Sequence, residues 1–413
     1  MTQSIPQKIP HETPKKIIII GGGIGGLTCA KACLNAGFTV AVYEKRSLEL
    51  MLSGPGGIFI QRNGMKVYDR LKLQNPLYEQ GGKILKGGFF NTQGHPLYIN
   101  DPQFIKAKDL GVCLSRGALQ HLLYGALPAG IVQTETEFAN FDIEPDSTIK
   151  VTFRNGYSDH CDVLIGADGL YSQVREQLQA NSRPASDHKR PHDAPIYSGI
   201  RCWRGITPSA NLALNPAYSW GEYWGVGTRF GYFDVGQGMI GFYGFMNAPL
   251  DQPKVPVTEL KPFLLNLFQD YDPIILQIIQ SLDPHAIYED GIFDRPPVAL
   301  PWGEAGVTLI GDAAHPVQPN LGQGGCMAIE DAYELSRYLL QNSYTKPADA
   351  LRQFEQSRSE RVNKVFTASR QLGQLGQLDT KWGCWLRDKV YQFTPVWLGD
   401  LQFKWLFDYE PTE

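Results

Sequence analysis

Three features are scarce in this sequence, and each scarcity excludes a class of protein. No apolar stretch among the 413 residues approaches the roughly 20 residues that a membrane-spanning helix needs. The seven cysteines are odd in number and contain no CxxC pair, which argues against a disulfide framework and against a zinc site. Basic residues do not outnumber acidic ones, and the net charge of -4 gives no electrostatic footprint for nucleic acid. We therefore expect a cytoplasmic protein with neither a metal nor a nucleic-acid partner.

Glycine is abundant, and a first glycine-rich turn follows an apolar run near the start. Four isoleucines at 17–20 predict a buried parallel strand, and the helix after it begins within Gly21-x-Gly23-x-x-Gly26. Gly21 permits a tight turn, Gly23 lets the backbone approach a pyrophosphate, and Gly26 lets helix and strand pack closely. The N-terminus of the helix attracts phosphate through its unpaired N–H groups and its dipole. The pattern predicts a dinucleotide site.

An acidic residue follows one βαβ unit later. The strand 40–43 ends at Glu44, where a carboxylate can accept hydrogen bonds from ribose hydroxyls and disfavours a 2′-phosphate. This site is therefore expected to hold FAD or NAD and not NADP. The alternative is a glycine turn in an α/β domain without a ligand, which the combination of strand, spacing and acid disfavours.

A second turn of the same kind lies nearly three hundred residues downstream. The strand 307–310 runs into Gly311 and Asp312, and glycines at 322, 324 and 325 precede a helix at 327–340. Asp312 can accept a hydrogen bond from a ribityl hydroxyl, and the glycines let backbone approach a planar ring. The N-terminus of that helix would favour negative charge on the reduced ring. The two turns together predict FAD.

Other residues near these turns have two interpretations each. Ser115 is a predicted N-cap, and Arg116 after it could meet the pyrophosphate or the adenine ribose, or lie on the surface. Asp168 ends a predicted sheet strand, where it could contact cofactor from beneath or cap the turn. His315 is more simply a buried histidine bonded to backbone than an acid/base catalyst. No catalytic residue is assigned with certainty.

Residues 194–248 alternate aromatic and small side chains. Period-two alternation with glycine turns and no helix predicts an antiparallel sheet inserted between the halves of the α/β lobe. Any single aromatic residue is more simply part of a core. As a group they predict the wall of a pocket for an apolar substrate. The candidates for this pocket are Arg201, Trp203, Tyr232, Tyr243 and Pro316.

The end of the chain is rich in large apolar residues. A helical tail that caps the core explains them most simply, and peripheral contact with a membrane surface is the alternative. These residues are Trp382, Trp385, Leu386, Val390, Tyr391, Phe393, Trp397, Leu398, Leu401, Phe403, Trp405 and Phe407.

This order of elements predicts an α/β fold with a Rossmann-like FAD-binding lobe, an inserted antiparallel-sheet substrate domain and a C-terminal helical segment. The predicted boundaries are 15–75, 112–180 and 286–345 for the discontinuous FAD-binding domain, 76–111 and 181–285 for the substrate domain, 346–413 for the helical region, and 1–14 for a disordered leader.

Four motifs in this order resemble the single-component FAD-dependent aromatic hydroxylase family, over roughly 16–409. They are Gly21-x-Gly23-x-x-Gly26 with Glu44, Asp168-Gly169, Asp294-Arg295-Pro296, and Gly311-Asp312-Ala313-Ala314-His315-Pro316. The segment 318–331 is similar to the zeaxanthin epoxidase branch, and 229–231 to urate and salicylate hydroxylase-like members. Many relatives carry Asn where Cys326 stands.

The resemblance implies an FAD-dependent monooxygenase that takes electrons from transiently bound NADPH or NADH. It implies that O2 is used to hydroxylate or epoxidise an apolar or aromatic small molecule through a C4a-hydroperoxyflavin. The alternatives are a flavin-dependent reductase or dehydrogenase of a prenyl or polyene substrate, and a non-enzymatic flavin-binding protein. The predicted cofactor-binding residues are Gly21, Gly23, Ile24, Gly25, Gly26, Glu44, Lys45, Arg116, Asp168, Gly311, Asp312, Pro319, Gly322, Gly324, Gly325 and Cys326.

Overall fold

The computed structural model describes residues 15–100, 109–181, 194–341, 346–395, 398 and 404–413. The leader predicted for 1–14 and the tail residues Trp397, Leu401 and Phe403 lie outside the described residues.

A five-stranded parallel sheet forms the centre of the first lobe. Its strands are β1 (Lys16–Ile20), β2 (Thr39–Tyr43), β8 (Val132–Gln133), β12 (Val163–Gly166) and β18 (Val307–Leu309). They lie in the order β18-β12-β1-β2-β8, so β1 is the middle strand. Its isoleucines are buried, as the continuous apolar run predicted, in a core that contains both helical residues such as Cys29 and Met327 and strand residues such as Phe141 and Val151. The predicted Rossmann-like lobe is confirmed.

Long helices cover this sheet and bring distant parts of the chain together. The helix α1 (Ile24–Asn35) packs against α9 (Gly324–Gln341), which packs against α10 (Pro347–Gly376). The helix α5 (Arg116–Gly125) packs on α1 and begins at Ser115, whose hydroxyl accepts a hydrogen bond from the N–H of Ala118 at 3.0 Å. That N-cap confirms the predicted helix start.

Shorter elements connect the two lobes and flank the parallel sheet. The strands β3 (Gly57–Gln61), β4 (Gly82–Lys83) and β7 (Gly111–Ser115) form one small antiparallel sheet. The remaining small elements are β9 (Phe138–Ile143), β10 (Ile149–Phe153), β11 (Ser158–Cys161), α2 (Leu48–Leu52), α3 (Arg62–Arg70), α4 (Gln74–Gln80) and α6 (Gln173–Asn181).

A seven-stranded sheet forms the second lobe. Its strands are β5 (Gly87–Asn91), β6 (Pro96–Asn100), β13 (Ile196–Pro208), β14 (Trp220–Trp224), β15 (Thr228–Gly236), β16 (Met239–Asn247) and β17 (Tyr288–Asp294). The spatial order is β17-β13-β16-β15-β14-β5-β6, and the pairs are antiparallel except for β14 with β5. The inserted antiparallel sheet is thus confirmed, and β17 still belongs to it although the predicted boundary falls at 286.

The two faces of this sheet have different neighbours. One face packs on α7 (Val257–Leu267) and α8 (Pro273–Ser281) in a separate aromatic and aliphatic core that contains Trp203 and Phe230. The other face turns toward the parallel sheet. A cleft therefore forms between the two lobes, at the carboxyl ends of the parallel strands, where ligands bind in sheets of this kind.

The C-terminal region adds α11 (Lys381–Phe393) and a final segment, 404–413, that lies across α9 and α10. Arg361 donates to the carbonyl oxygens of Trp405 and Leu406, and Lys66 donates to that of Phe407. Among the described helices, none is both long and apolar enough to cross a bilayer.

Candidate active site

The cleft between the lobes has a volume of about 450 Å³ and is lined from both sides. Of the predicted cofactor residues, those whose atoms line it are Ile24, Gly25, Arg116, Gly311, Asp312, Pro319, Gly322, Gly324 and Gly325. The fold thus brings the early and the late glycine turns to one site.

The first turn offers bare backbone to the cleft. Gly23 caps α1 without any side-chain hydrogen bond, and a Cβ added to it would meet no protein atom within 4 Å. Gly21 has a φ of +109°, which L-residues rarely adopt, and a Cβ on Gly26 would collide with the carbonyl oxygen of Gly21. The N–H groups at this helix end are therefore open to an anion, which fits the pyrophosphate of FAD.

Glu44 lies at the end of β2, as the sequence predicted, and is buried. Its carboxylate accepts hydrogen bonds from the N–H of Gly22 at 2.8 Å and from the backbone and side chain of Arg46 at 2.9 Å. Burial alone would raise the pKa of Glu44, but these bonds outweigh it and hold the pKa below its ordinary value. An ionised carboxylate at this position is suited to accept ribose hydroxyls.

Arg116, at the start of α5, and Asp312, in the second turn, both line the cleft. The surrounding protein lowers the pKa of the Arg116 guanidinium and raises that of the Asp312 carboxyl, while the attraction between the two groups opposes both shifts. The sequence predicted that Arg116 would meet the pyrophosphate or the adenine ribose and that Asp312 would meet a ribityl hydroxyl, and the place of both residues at the cleft is compatible with these contacts.

A buried ionic network holds the second turn from behind. The carboxylate of Asp331 accepts hydrogen bonds from the N–H of Gly311 at 2.9 Å, from His315 Nε2 at 2.5 Å and from Arg358 at 2.8 Å. Burial would raise the pKa of Asp331, but His315 and Arg358 outweigh it and bring the pKa to about 2. His315 is buried as expected, yet its partner is a side chain and not backbone. It positions the Gly311 turn through Asp331.

Three other predicted cofactor residues, Asp168, Cys326 and Lys45, do not line the cleft. The Asp168 carboxylate accepts bonds from Ser172 Oγ at 2.5 Å and from the N–H of Gln173 at 2.7 Å, so it caps α6. This is the structural alternative that the sequence left open. Cys326 is buried, with its Sγ 3.3 Å from the N–H of Gln61, and Lys45 is exposed.

The aromatic wall requires a correction to the predicted pocket. Tyr243 lines the cleft, but Arg201, Trp203 and Tyr232 do not. Trp203 and Tyr232 belong to the core under α7 and α8, while Arg201 pairs with Glu289 at 2.9 Å. Alternation predicts that a strand has two faces, but both faces here are aromatic, so the pattern could not tell which one meets the cofactor. Pro316 is likewise buried beneath the cleft, and its neighbour at 317 lines it.

This wall contains a buried ion pair that was not predicted from the sequence. Arg229 donates to Glu222 at 3.0 Å, and the same carboxylate accepts from the hydroxyl of Tyr243 at 2.5 Å. Arg229 also donates to Gln377 at 2.7 Å and to Asn320 at 2.8 Å. Burial, followed by the adjacent carboxylate, raises the pKa of Tyr243. The available signal was an acid and a base inside otherwise apolar strands, since buried charges need partners.

Comparison with protein families decides the identity of the first lobe. A family model described as an FAD binding domain matches residues 15–194 and 293–369. The chain belongs to this FAD-binding family. The matched segments contain both glycine turns and most of the residues that line the first lobe's side of the cleft.

Relatives of this FAD-binding protein are monooxygenases. It is 32% identical over 382 residues to an aurachin C monooxygenase/isomerase from Stigmatella aurantiaca, covering 92% of this chain and 94% of that one. A zeaxanthin epoxidase from an Oncidium hybrid cultivar is 31% identical over 387 residues, which cover 89% of this chain but 56% of the epoxidase. The protein is therefore an FAD-dependent monooxygenase, with NADPH or NADH as electron donor.

Solved structures share the whole fold. HpxO from Klebsiella pneumoniae, complexed with FAD and uric acid, matches with a TM-score of 0.83 at 24% identity and covers 95% of this chain and 96% of that one. A salicylate hydroxylase substrate complex matches with a TM-score of 0.75 at 21% identity, over 96% of each chain. At these identities the likeness establishes the fold.

Proposed function

We propose that the protein hydroxylates or epoxidises an apolar molecule that contains an electron-rich ring or double bond. The supporting observation is that one cleft has glycine backbone on one side and a wall of aromatic side chains on the other. The wall residues that line the cleft are Phe89, Tyr98, Trp220, Phe233, Phe242, Tyr243 and Phe245.

The cofactor side prepares the reaction by position and charge. When bound, FAD supplies the redox chemistry of oxygen transfer, which side chains cannot perform. Gly324 and Gly325 start α9 at the cleft, so the N–H groups and the dipole of that helix would favour negative charge on the ring system of bound FAD. The network behind Gly311 holds the turn that carries Asp312.

The substrate side supplies an apolar surface with one polar end. The aromatic residues exclude water from the reacting atoms, which protects a reactive oxygen species from side reactions. At the other end, Arg229 and Asn320 line the cleft and are held together by a hydrogen bond of 2.8 Å. We propose that this end receives a hydroxyl, carbonyl or carboxylate of the substrate and so fixes which bond faces the cofactor.

The names of the similar proteins include both reactions, epoxidation and hydroxylation. One is called an epoxidase, and a structural neighbour is called a hydroxylase. Both names are compatible with an aromatic wall that binds a flat or extended conjugated molecule, and for this reason the proposal includes both reactions.

Oxygen consumption by the FAD-loaded protein tests the proposal. A panel of phenolic acids, quinolones and polyenes is added with NADPH or NADH, and products are analysed after reaction under labelled O2. We expect at least one compound to stimulate oxygen uptake and to gain one labelled oxygen atom. Turnover of a polyene without O2 would support the reductase alternative, and retention of FAD without turnover by any donor would support a binding protein.

A further inference from the structure

The helix α11 carries an apolar surface on its outward side. Its exposed residues recur every three or four positions and therefore share one side of the helix. We name this surface the outward stripe, which consists of Lys381, Trp382, Trp385, Leu386, Lys389, Val390, Gln392 and Phe393. Trp382 is 71% exposed and Phe393 is 81% exposed. An outward helix face is normally polar, so this one indicates a binding surface.

The inner side of α11 is fixed to the substrate lobe. The Sγ of Cys384 lies 3.6 Å from the carbonyl oxygen of Gly225, and the guanidinium of Arg387 lies 5.0 Å from the ring centroid of Trp224. The ring of Tyr391 packs edge-on against Trp224 with a centroid separation of 5.2 Å. The outward stripe is therefore a rigid surface that the fold presents, since the opposite side of the helix is well packed.

The charges around the outward stripe suit an anionic partner. Its two ionisable residues, Lys381 and Lys389, are both basic, whereas the whole chain has a net charge of -4. The acidic residue of this helix, Asp388, is not part of the outward stripe and forms an ion pair with Arg387 at 2.9 Å. In a two-fold dimer through this surface, the outward stripe would bring four lysines and no acidic residue of its own into one interface, where like charges repel. Anionic lipid headgroups attract them instead.

A groove borders both this region and the active-site cleft. It lies between α10 and the final segment, and its lining includes Leu375, Leu378, Tyr391 and Trp405. Leu372 lines both this groove and the cleft. The lining of the groove also includes the polar side chains of Asn363, Gln371 and Gln374, so the groove is of mixed polarity.

We propose that the outward stripe docks on the surface of an anionic phospholipid bilayer. Trp and Phe side chains favour the headgroup level of a membrane, and lysines at their margin add electrostatic attraction. The docking itself is independent of the proposed oxygenation reaction. The test therefore measures binding to vesicles and not turnover.

Flotation of the FAD-loaded protein with vesicles tests the docking. The vesicles contain phosphatidylcholine alone or phosphatidylcholine with phosphatidylglycerol. The wild type is expected to float with the anionic vesicles, and Trp382→Ser/Trp385→Ser/Phe393→Ser is expected to bind at least about tenfold more weakly. Lys381→Gln/Lys389→Gln is expected to lose about tenfold on anionic vesicles only. Leu250→Ser, which changes a residue 62% exposed elsewhere, is the matched control and is expected to float as the wild type does.

The flavin absorbance of each variant shows that it is folded. A wild type that stays in the aqueous fraction, or a triple variant that floats like the wild type, would overturn the proposal. If light scattering shows a dimer that the triple substitution dissociates, and no protein floats, the outward stripe binds a second copy and the bilayer is excluded.

Discussion

The two sides of the cleft are built from different parts of the polypeptide. The cofactor side is mostly glycine backbone at the starts of α1 and α9, where the absence of side chains makes room. The substrate side consists of aromatic side chains and the buried pair of Glu222 and Arg229. A change on the first side should therefore alter retention of FAD, and a change on the second should alter use of the substrate.

The largest effect is expected at the network behind the second turn. Asp331→Asn removes the charged partner of His315 and one of the two carboxylate partners of Arg358, the other being Glu330, and weakens the bond to the N–H of Gly311. Loss of one member of a buried ionic network costs about 3–5 kcal/mol of unfolding free energy. Chemical denaturation should show this loss together with weaker FAD retention, whereas Asp251→Asn, at an exposed carboxylate, should change neither.

The same substitution predicts a pH dependence. The pKa of Asp331 in the folded protein is lowered to about 2, so its ionised form contributes stability above the ordinary carboxyl pKa of about 4. That contribution is lost as the pH falls from about 4 toward 2. The stability difference between wild type and Asp331→Asn should shrink across this interval. A difference that stays constant would show that ionisation of Asp331 is not the source.

Substitutions at three glycines distinguish an effect on stability from an effect on FAD binding. In Gly26→Ala the new Cβ meets the carbonyl oxygen of Gly21, which should cost about 1–3 kcal/mol in stability and weaken FAD binding. Gly23→Ala adds a methyl group that meets no protein atom, so it should leave the apoprotein stable but weaken FAD binding about tenfold. Gly125→Ala, also without a neighbour, should do neither. Equal FAD affinity in Gly23→Ala and the wild type would contradict the proposed phosphate site.

The buried pair in the aromatic wall tests the substrate side. Glu222→Gln/Arg229→Gln removes both charges and keeps amides that can hydrogen-bond, so no unpaired charge remains. FAD retention should be unchanged, while the KM for the substrate should rise about tenfold because the polar end of the wall loses its cation. Steady-state kinetics with any substrate found in the oxygen assay measures this. Loss of FAD with an unchanged KM would reverse the assignment of the two sides.

The smallest effect is expected from a comparison of two tyrosines on opposite faces of one sheet. Tyr243→Phe removes the hydroxyl that donates to Glu222 at 2.5 Å, and the KM should rise about fivefold. Tyr232→Phe alters the core under α7 and α8 and should leave the KM as it was. If both variants raised the KM equally, the division of the sheet into two faces would not govern binding.

The fold and the cofactor side could be predicted because the residues that determine them lie close together in the sequence. A strand, a glycine turn and an acid stand within a few residues of one another, and each has a steric or electrostatic reason. The substrate side could not be predicted in the same way, since which face of β13 or β15 meets the cleft depends on where α7 and α8 pack. The pairing of Glu222 with Arg229 also requires the register of a hairpin.

The hydrogen-bond partner of the His315 side chain could not be predicted from the sequence for a related reason. Asp331 lies sixteen residues later on α9, and only the packing of that helix against the Gly311 turn brings the two side chains together. Residue types alone suggested a histidine satisfied by backbone. The tertiary contact replaced that partner with a carboxylate.

The final segment 404–413 has a consequence for biosynthesis. Its residues Leu406 and Phe407 line the cleft to which Ile24 also contributes, and Arg361 and Lys66 hold it in place. Residues that lie far apart in the sequence thus line one cleft. The ribosome must have made residues 404–413 before this cleft is complete, so full enclosure of the vitamin-derived cofactor cannot precede their synthesis.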